Sequence, residues 1–263
     1  MTQLPAKAHA WDLVSGSYWN SGYYGGPAPE HDVVLRELMR AGAPTAVVGA
    51  STVSLSKAAQ EAGAELHVLD FAPGILREAG EWLALPEDRR HLVDVTGQLP
   101  VPLRGRYELV LADRLVNRFS AADLPGGLRG LRDLVAPGGT LALTVRFGWY
   151  ERDRQIHDAL TPAEQRLFWR PDVGEIDYAT LPDRDIPLPT WGGISGQVMR
   201  DHIRGRGREA RFHQDELLAR IADVGGLDRT RLVEAANGTA LVVLQKAGLG
   251  NTGPRKGEHH DTA

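Results

Sequence analysis

The chain has 263 residues, of which 42% are apolar, so it is long enough to bury a sizeable hydrophobic core. Its net charge of −4, with Lys and Arg scattered along the chain, argues against a nucleic-acid partner. The absence of Cys excludes disulfides, thiolate metal sites and a cysteine nucleophile.

No stretch approaches the roughly 20 consecutive apolar residues that a membrane-spanning helix requires. Together with the lack of Cys, this favours a soluble cytoplasmic protein without a membrane partner. We also expect no metal ion, because the adjacent pair His259 and His260 lies in a polar tail of the kind that is disordered at chain ends.

The first predicted helix is HDVVLRELMRAG, and Gly42 marks its end. A period of 3.6 residues places four apolar side chains on one face of this helix, namely Val33, Val34, Leu38 and Met39. We therefore expect these four side chains to be buried together.

Short apolar runs then alternate with amphipathic helical stretches up to residue 147. The predicted strands are TAVVGA, ELHVLD, RHLVDV, YELVLADRLV and GTLALTVRF. The predicted helices are SLSKAAQEAG, PGILREAGEWLAL and AADLPGGLRGLRDLV. Because parallel strands need crossover connections, this alternation predicts an α/β fold with a doubly wound, mostly parallel sheet covered by helices on both faces.

Beyond Phe147 the composition shifts towards Trp, Tyr, Arg, Asp and Pro, which indicates an insertion of short helices and loops before the last helix. The sequence then returns to a helix and two strands joined at Asn237 and Gly238, which predicts an antiparallel hairpin and brings the sheet to about seven strands. We divide the chain into an N-terminal aromatic flap at 1–29, a ligand-binding core at 30–147, an insertion or lid at 148–211, the C-terminal part of the core at 212–247, and a disordered tail at 248–263.

The fold rule for parallel sheets locates the candidate site, because ligands bind beyond the carboxyl ends of the strands. The residues there are the turn at 49–53, Asp70, Asp94 and residues 112–114. A carboxylate such as that of Asp70 can accept hydrogen bonds from both hydroxyls of a ribose, and its separation from Gly49 fits a nucleotide-binding βαβ unit. An Asp at a strand end is also a common helix N-cap, and both interpretations stay open for Asp70 and Asp94.

Several motifs follow one another in a fixed order, namely AVVGAST, HVLDFAPGILREA, HLVDVTGQLP, YELVLADRLVNRFS and LVAPGGTLALTV, then FHQDELLARIADVGGL and the terminal hairpin. This order resembles that of the class I S-adenosylmethionine-dependent methyltransferases, which have a Rossmann-like fold. The similarity runs from about residue 30 to 147 and resumes from about 212 to 246, so it covers most of the chain.

The resemblance implies S-adenosyl-L-methionine as the cofactor and gives each motif a role. The first turn, with Gly49, Ala50 and Ser51, would approach the methionyl part of the cofactor, and Asp70 would bind its ribose. The other implied contacts are Phe71, Asp94 and Val95 near the adenine, Ala112 and Asp113 near the amino-acid end, and Tyr18 and Tyr23 of an N-terminal segment that closes over the cofactor. An ordinary packed N-terminal arm is the alternative for that last segment.

The first turn departs from the family pattern D-x-G-x-G-x-G, because its four positions are Val47, Gly49, Ser51 and Val53. Glycine lets a backbone approach a ligand closely and adopt a positive φ, whereas a β-branched residue does not fit there. We therefore expect ordinary dihedrals in this turn. Either the cofactor binds in a slightly shifted pose, or the site serves another ligand.

The catalytic group is left open by the sequence. The candidate proton acceptors in the insertion are His157, His202, Tyr150 and Tyr178, and His213 before the last helix is a further one. A lone His on a polar helix is usually a surface residue, and aromatic residues such as Trp191 pack more often than they line a substrate pocket.

The sequence thus favours an enzyme of small-molecule biosynthesis, a methyltransferase whose aromatic insertion forms the acceptor pocket. The degenerate first turn keeps two alternatives open. One is an enzyme of the same fold that uses the cofactor for cyclisation or aminocarboxypropyl transfer, or retains it as structure, and the other is a non-catalytic binding protein. The expected partner is a small-molecule substrate, and a homodimer is left open.

Overall fold

The computed structural model describes residues 6–16, 26–188 and 194–248. Its strands are β1 (Pro44–Val48), β2 (Glu65–Asp70), β3 (Arg90–Leu92), β4 (Tyr107–Asp113), β5 (Val135–Arg146), β6 (Trp169–Arg170), β7 (Glu175–Asp177), β8 (Arg208–Ala210), β9 (Leu227–Glu234) and β10 (Thr239–Lys246). The first five correspond to the five strands that the apolar runs predicted, although β1, β3 and β4 end two to three residues earlier than predicted.

The helices are α1 (Ala6–Asp12), α2 (Pro29–Leu38), α3 (Val53–Glu61), α4 (Pro73–Trp82), α5 (Leu124–Leu134), α6 (Glu151–Asp158), α7 (Pro162–Phe168), α8 (Gly196–Gly205) and α9 (Gln214–Val224). Single 3-10 turns follow β4 at Val116–Arg118 and β7 at Tyr178–Thr180. None of the helices in the described part of the chain is long and apolar enough to span a membrane.

Seven strands form one sheet in the order β3-β2-β1-β4-β5-β10-β9. The pairs β1–β2, β1–β4, β2–β3 and β4–β5 are parallel, whereas β10 runs antiparallel to both β5 and β9. The prediction of a mostly parallel, doubly wound sheet that ends in an antiparallel hairpin is confirmed. The chain order reverses direction beside β1, which places β1 and β4 at the switch point.

Two hydrophobic layers cover the two faces of this sheet. Along β1, Val47 packs into one layer and Ala46 and Val48 into the other, as the alternation of side chains in a strand requires. Helices α2, α3 and α4 contribute to the first layer, and α5 and α9 contribute to the second. The central strands are therefore buried on both sides, which explains their continuous apolar sequence.

Helix α2 corrects one prediction. Val33 is 61% exposed, while Val34 and Leu35 are buried on the face that meets the sheet. The helix also ends at Leu38 rather than at Gly42. A helix at the edge of a packed layer buries a narrower stripe than the run of apolar letters indicates.

The insertion contains a second, three-stranded antiparallel sheet in the order β6-β7-β8, which the sequence analysis did not predict. Its strands have only two or three residues each, too few for a period to be detected. Phe168, Ile176 and Ile203 are fully buried and belong to the same hydrophobic cluster as α2, α3 and α4. The insertion therefore packs on the core rather than standing apart from it.

Helix α5 lies unusually close to the loop that follows β3, because its contact positions are glycines. A Cβ atom at Gly130 would lie 2.0 Å from the carbonyl oxygen of Val95, and one at Gly126 would lie 2.7 Å from that of Thr96. Real Cβ atoms do not approach oxygen so closely. The absence of side chains at these two positions thus fixes where the loop after β3 runs.

We expect Gly130→Ala to lower the free energy of unfolding by about 1–3 kcal/mol, because the added methyl group must displace either α5 or the backbone at Val95. The matched control is Gly196→Ala in α8, where a Cβ atom meets nothing within 4 Å. Denaturant unfolding of the two variants measures the difference. Equal stabilities would show that α5 does not hold the loop in place.

Candidate functional site

A cavity of about 340 Å³ opens beyond the carboxyl ends of β1, β2 and β4, where the fold rule places a ligand. Its volume lies within the usual range for small-molecule sites. Seven of the eleven predicted cofactor contacts line it, namely Gly49, Ser51, Asp70, Phe71, Asp94, Val95 and Asp113. Thr52 and Arg114, from the predicted ranges 49–53 and 112–114, line it as well. The cavity also has lining residues that the sequence analysis did not select, among them Lys7, Trp11, Ile75, Thr96, Leu115, Arg118, Phe119 and Asp123.

The first turn connects β1 to α3 and forms one wall of the cavity. Gly49 has a φ of +92°, and its N–H donates to the carbonyl oxygen of Leu69 over 2.9 Å. Ser51 and Val53 do not have positive φ values, so the expectation of ordinary dihedrals holds for them and is wrong for Gly49. A Cβ atom at Gly49 would meet only Leu115, at an ordinary 3.7 Å, so φ and not crowding requires the glycine here.

Asp70 ends β2 and ties two turns together through its carboxylate. Oδ2 accepts a hydrogen bond from the backbone N–H of Ala50 over 2.7 Å, and Oδ1 accepts one from Ala72 over 2.8 Å. The second bond is a local turn of the Asx type, and the N-cap of α4 is Ala72 rather than Asp70, so Asp70 does not cap that helix. Because each carboxylate oxygen has a further acceptor position, Asp70 can also serve a ligand in the cavity that it lines.

Burial raises the pKa of Asp70 from 3.8 to about 6, against the opposing effect of the N–H groups of Ala72, Ala50 and Phe71. The charge of Asp12 raises the pKa further. Ionised Asp70 therefore costs the folded chain about 3 kcal/mol, and its contribution to stability falls as the pH rises from about 4 to about 6. The carboxylate is kept at the cavity despite this cost.

Asp94 shapes the loop after β3. Its Oδ1 accepts hydrogen bonds from the backbone N–H and the hydroxyl of Thr96, over 2.9 Å and 2.7 Å. The loop thereby turns its residues 94–96 towards the cavity. Behind it stands α5, whose glycines allow the close approach.

The wall after β4 carries an ion pair. Arg114 donates through Nη2 to Asp113 Oδ2 over 2.9 Å, and the hydroxyl of Thr144 donates to Asp113 Oδ1. Arg114 adopts a φ of +50°, an uncommon conformation for a residue with a side chain and one that recurs at functional sites. Ala112, by contrast, is buried inside the sheet and is not among the lining residues.

Helix α1 closes one side of the cavity. At one end, Asp12 Oδ1 accepts a hydrogen bond from the N–H of Gly74 at the start of α4, over 2.7 Å. At the other end, Lys7 Nζ donates to the carbonyl oxygens of Arg118 and Arg208 over 2.6 Å and 3.0 Å. The predicted contacts Tyr18 and Tyr23 lie outside the described residues.

Two of the proposed proton acceptors, His202 and Tyr178, are fully buried in the insertion. His202 Nδ1 lies 2.8 Å from the carbonyl oxygen of Ala10, and burial lowers the pKa of this His to about 3. The Tyr178 hydroxyl donates to Asp153 Oδ1 over 2.5 Å, and burial raises the pKa of the phenol. Neither side chain is among those that line the cavity.

Two others, Tyr150 and His157, also contact side chains of the insertion. The ring of Tyr150 lies 4.8 Å from the guanidinium of Arg211, and the ring of His157 meets Trp149 edge-on at 5.1 Å. Neither is among the lining residues. Trp149 also packs edge-on against Trp169 at 5.0 Å, which agrees with the packing interpretation for these two aromatic residues, whereas Trp191 lies outside the described residues.

A buried charge cluster adjoins the cavity and was missed by the sequence analysis. Arg206 donates two hydrogen bonds to Glu209, over 2.8 Å and 2.7 Å, and Arg118 donates to the same carboxylate over 3.1 Å. Arg211 donates to Asp153 over 2.7 Å and reaches Glu209 at 3.3 Å. Arg118 follows β4 by only five residues, so the rule of the carboxyl ends would have found it had the search gone beyond residue 114.

No protein-family model and no curated protein sequence matches the chain, but solved structures do. A Rhodobacter sphaeroides protein named as a candidate Zn-dependent alcohol dehydrogenase matches with a TM-score of 0.81 and 28% identity over 94% of this chain and 100% of that one. The CcbJ methyltransferase from Streptomyces caelestis matches with a TM-score of 0.59 and 16% identity over 92% and 99%. A candidate methyltransferase in complex with the Haloferax volcanii Trm112 methyltransferase activator matches with a TM-score of 0.57 and 14% identity over 93% and 98%.

The strand order and the similarity to solved methyltransferases show that the chain has the fold of the class I S-adenosylmethionine-dependent methyltransferases. The zinc in the name of the Rhodobacter protein concerns that protein. Within residues 6–16, 26–188 and 194–248 of this chain, no group of three His, Cys, Asp or Glu side chains is placed to hold a metal ion.

We expect Gly49→Ala to lower the free energy of unfolding by about 1–3 kcal/mol, because its φ of +92° is strained for any residue with a Cβ atom. Ser51→Ala is the control in the same turn, since Ser51 has no positive φ, and it should change the free energy by less than about 0.5 kcal/mol. Denaturant unfolding compares them. A Gly49→Ala variant as stable as the parent would contradict this geometry.

Proposed function

We propose that the chain is a methyltransferase that binds S-adenosyl-L-methionine and transfers its methyl group to a small molecule. The observation that carries this proposal is the carboxylate of Asp70. It ends β2, lines the cavity, and is held in place by the N–H groups of Ala50 and Ala72 with acceptor positions to spare. A ribose diol is a neutral donor pair that suits such a fixed acceptor.

The other lining residues fit the remaining parts of the cofactor. Phe71 and Ile75 offer apolar surface beside Asp70, and the loop at 94–96 offers backbone and hydroxyl groups opposite, which together suit an adenine ring. The turn with Gly49 and Ser51 would take the methionyl part. Bound S-adenosylmethionine supplies a methyl group on a sulfonium sulfur, which needs no further activation by the protein.

The chain's own contribution to the reaction would be positioning and the exclusion of water. Helix α1 covers one side of the cavity, and the fixed ion pair of Asp113 and Arg114 forms another wall, so both reactants would be held between rigid elements. His202, with its pKa near 3, is neutral at physiological pH, and it does not line the cavity but packs edge-on at 4.9 Å behind the lining residue Trp11. The roles of His157, His202, Tyr150 and Tyr178 as catalytic bases stay untested predictions.

The first turn has Ser51 and Val53 where the family has glycines, and this difference favours a second candidate. That candidate is an enzyme of this fold in which the nucleophile attacks a carbon of the cofactor other than the methyl carbon. The Ser51 side chain occupies space beside the first turn that a glycine would leave free, and this would shift the methionyl part of the cofactor. Such a shift would present a different carbon of the sulfonium to a nucleophile. A non-catalytic binding protein is the third candidate.

One experiment separates these candidates. The protein is incubated with methyl-labelled S-adenosylmethionine and a small-molecule extract, and the products are separated by chromatography. We expect label in a new small molecule together with S-adenosylhomocysteine. Label that stays in a methylthio fragment would support the second candidate, and the absence of both turnover and calorimetric cofactor binding would overturn the proposal of an enzyme.

The pH dependence of cofactor binding tests the role of Asp70. Only the ionised carboxylate accepts from both ribose hydroxyls, so the affinity for S-adenosylhomocysteine should fall about tenfold as the pH falls from about 7.5 to about 5, through the raised pKa of about 6. Calorimetric titration measures this. Asp70→Asn should bind about 1.5–3 kcal/mol more weakly at pH 7.5 and lose most of the dependence. The same pH profile in the variant would remove Asp70 from the ligand contacts.

A further inference from the structure

The charge cluster next to the cavity has more cations than carboxylates. Arg206 and Arg211 are each matched by an acid, the first by Glu209 and the second by Asp153. Arg118 has no acid of its own, because it shares the Glu209 carboxylate with Arg206. The three arginines hold the pKa of Glu209 well below its usual value, against the effect of burial. One guanidinium therefore remains in excess.

Lys7 adds a second cation at the same place. Its ammonium group donates to the main-chain oxygens of Arg118 and Arg208, which carry no full charge. Burial lowers the pKa of Lys7, while the charges of Glu209 and Asp123 act in the opposite direction. Lys7 and Arg118 are partly buried, and a partly buried positive charge without a matching anion is costly, so this part of the protein is suited to bind one.

The four acids that line the cavity do not supply that anion. Asp94 accepts two hydrogen bonds from Thr96 in the loop after β3. Asp113 is bound by Arg114 and Thr144. Asp123 lies near Lys7, but it is exposed and its Oδ2 accepts a hydrogen bond from Ser120. Asp70 is held by backbone N–H groups at the end of β2, as described above.

Arg118 is the arginine of this cluster whose side chain is partly exposed, and it lines the cavity. The side chain of Arg118 is 25% exposed, whereas those of Arg206 and Arg211 are 2% and 1% exposed. Both Arg118 and Lys7 line the cavity. Within the described part of the chain, these two residues are thus the cations of this region that an anion in the cavity can reach.

We propose that the acceptor molecule carries an anionic group, a carboxylate or a phosphate, that binds at Arg118 and Lys7. This inference rests on the proposed methyltransferase function and narrows its substrate to anionic small molecules. The guanidinium and the ammonium are the two side chains suited to such oxyanions. Arg118 and Lys7 would determine which acceptors bind, and they would take no part in the transfer itself.

The test uses a matched pair of probes, phenyl phosphate and phenylacetate against the neutral phenylacetamide. Each is titrated into the full-length protein saturated with S-adenosylhomocysteine, and binding is followed by NMR. We expect the anions to bind about tenfold more tightly than the amide, and Arg118→Gln to abolish this preference. Arg129→Gln, which removes the same charge from an exposed position on α5, should retain it. Equal binding of anions and amide to the parent would overturn the inference.

Two further measurements cover a variant that does not fold and an anion that belongs to the cofactor. If Arg118→Gln does not fold, Lys7→Gln replaces it, because Lys7 bonds only to main-chain oxygens in the described hydrogen bonds, and it should weaken the preference. The carboxylate of the cofactor itself is tested by comparing S-adenosylhomocysteine with methylthioadenosine, which lacks that group. If Arg118→Gln weakens only the former, the anion belongs to the cofactor and the inference is wrong. If neither nucleoside binds the parent, the proposed function fails instead.

Discussion

The carboxylate of Asp70 is the contact on which the candidate site depends. It accepts one hydrogen bond from an N–H in the turn after β1 and one from an N–H in the turn after β2, so it fixes the loops that follow these two strands relative to each other. Those loops carry Gly49, Ser51 and Phe71 to the cavity. Because the group is buried and its ionised form is costly, the raised pKa of Asp70 marks it as a candidate functional residue.

Packing sets the rest of the site around this carboxylate. The close approach of α5 fixes the loop at 94–96, and α1 bridges from α4 to the insertion across the opening. The insertion supplies the buried charge cluster, in which three arginines meet at Glu209. The cavity is thus bounded by elements far apart in the chain, each held by a contact that a single substitution can remove.

The parallel core could be predicted from the sequence because strands buried on both faces give continuous apolar runs, as in β1 and β4. The strand-end acids were found for a similar reason, since a parallel sheet collects its carboxyl ends at one edge. Lys7 and Trp11 were not selected because long-range packing brings them to the cavity, and a local pattern does not report such contacts, whereas Arg118 lies only five residues beyond β4 and just outside the range 112–114. The short strands β6 to β8 carry charged residues and no period, and Val33 shows that periodicity overestimates burial at the margin of a layer.

The bonds of Lys7 also bear on the order in which the molecule assembles. They join residues 111 and 201 positions apart, so they close very long loops. Contacts of such high sequence separation carry a large loop-closure entropy and form after the local pairings of the sheet. We therefore expect the cavity wall made by α1 to dock after the β8 region is in place, so that the site is completed late in folding. A chain whose core is already native would then still lack one side of its pocket.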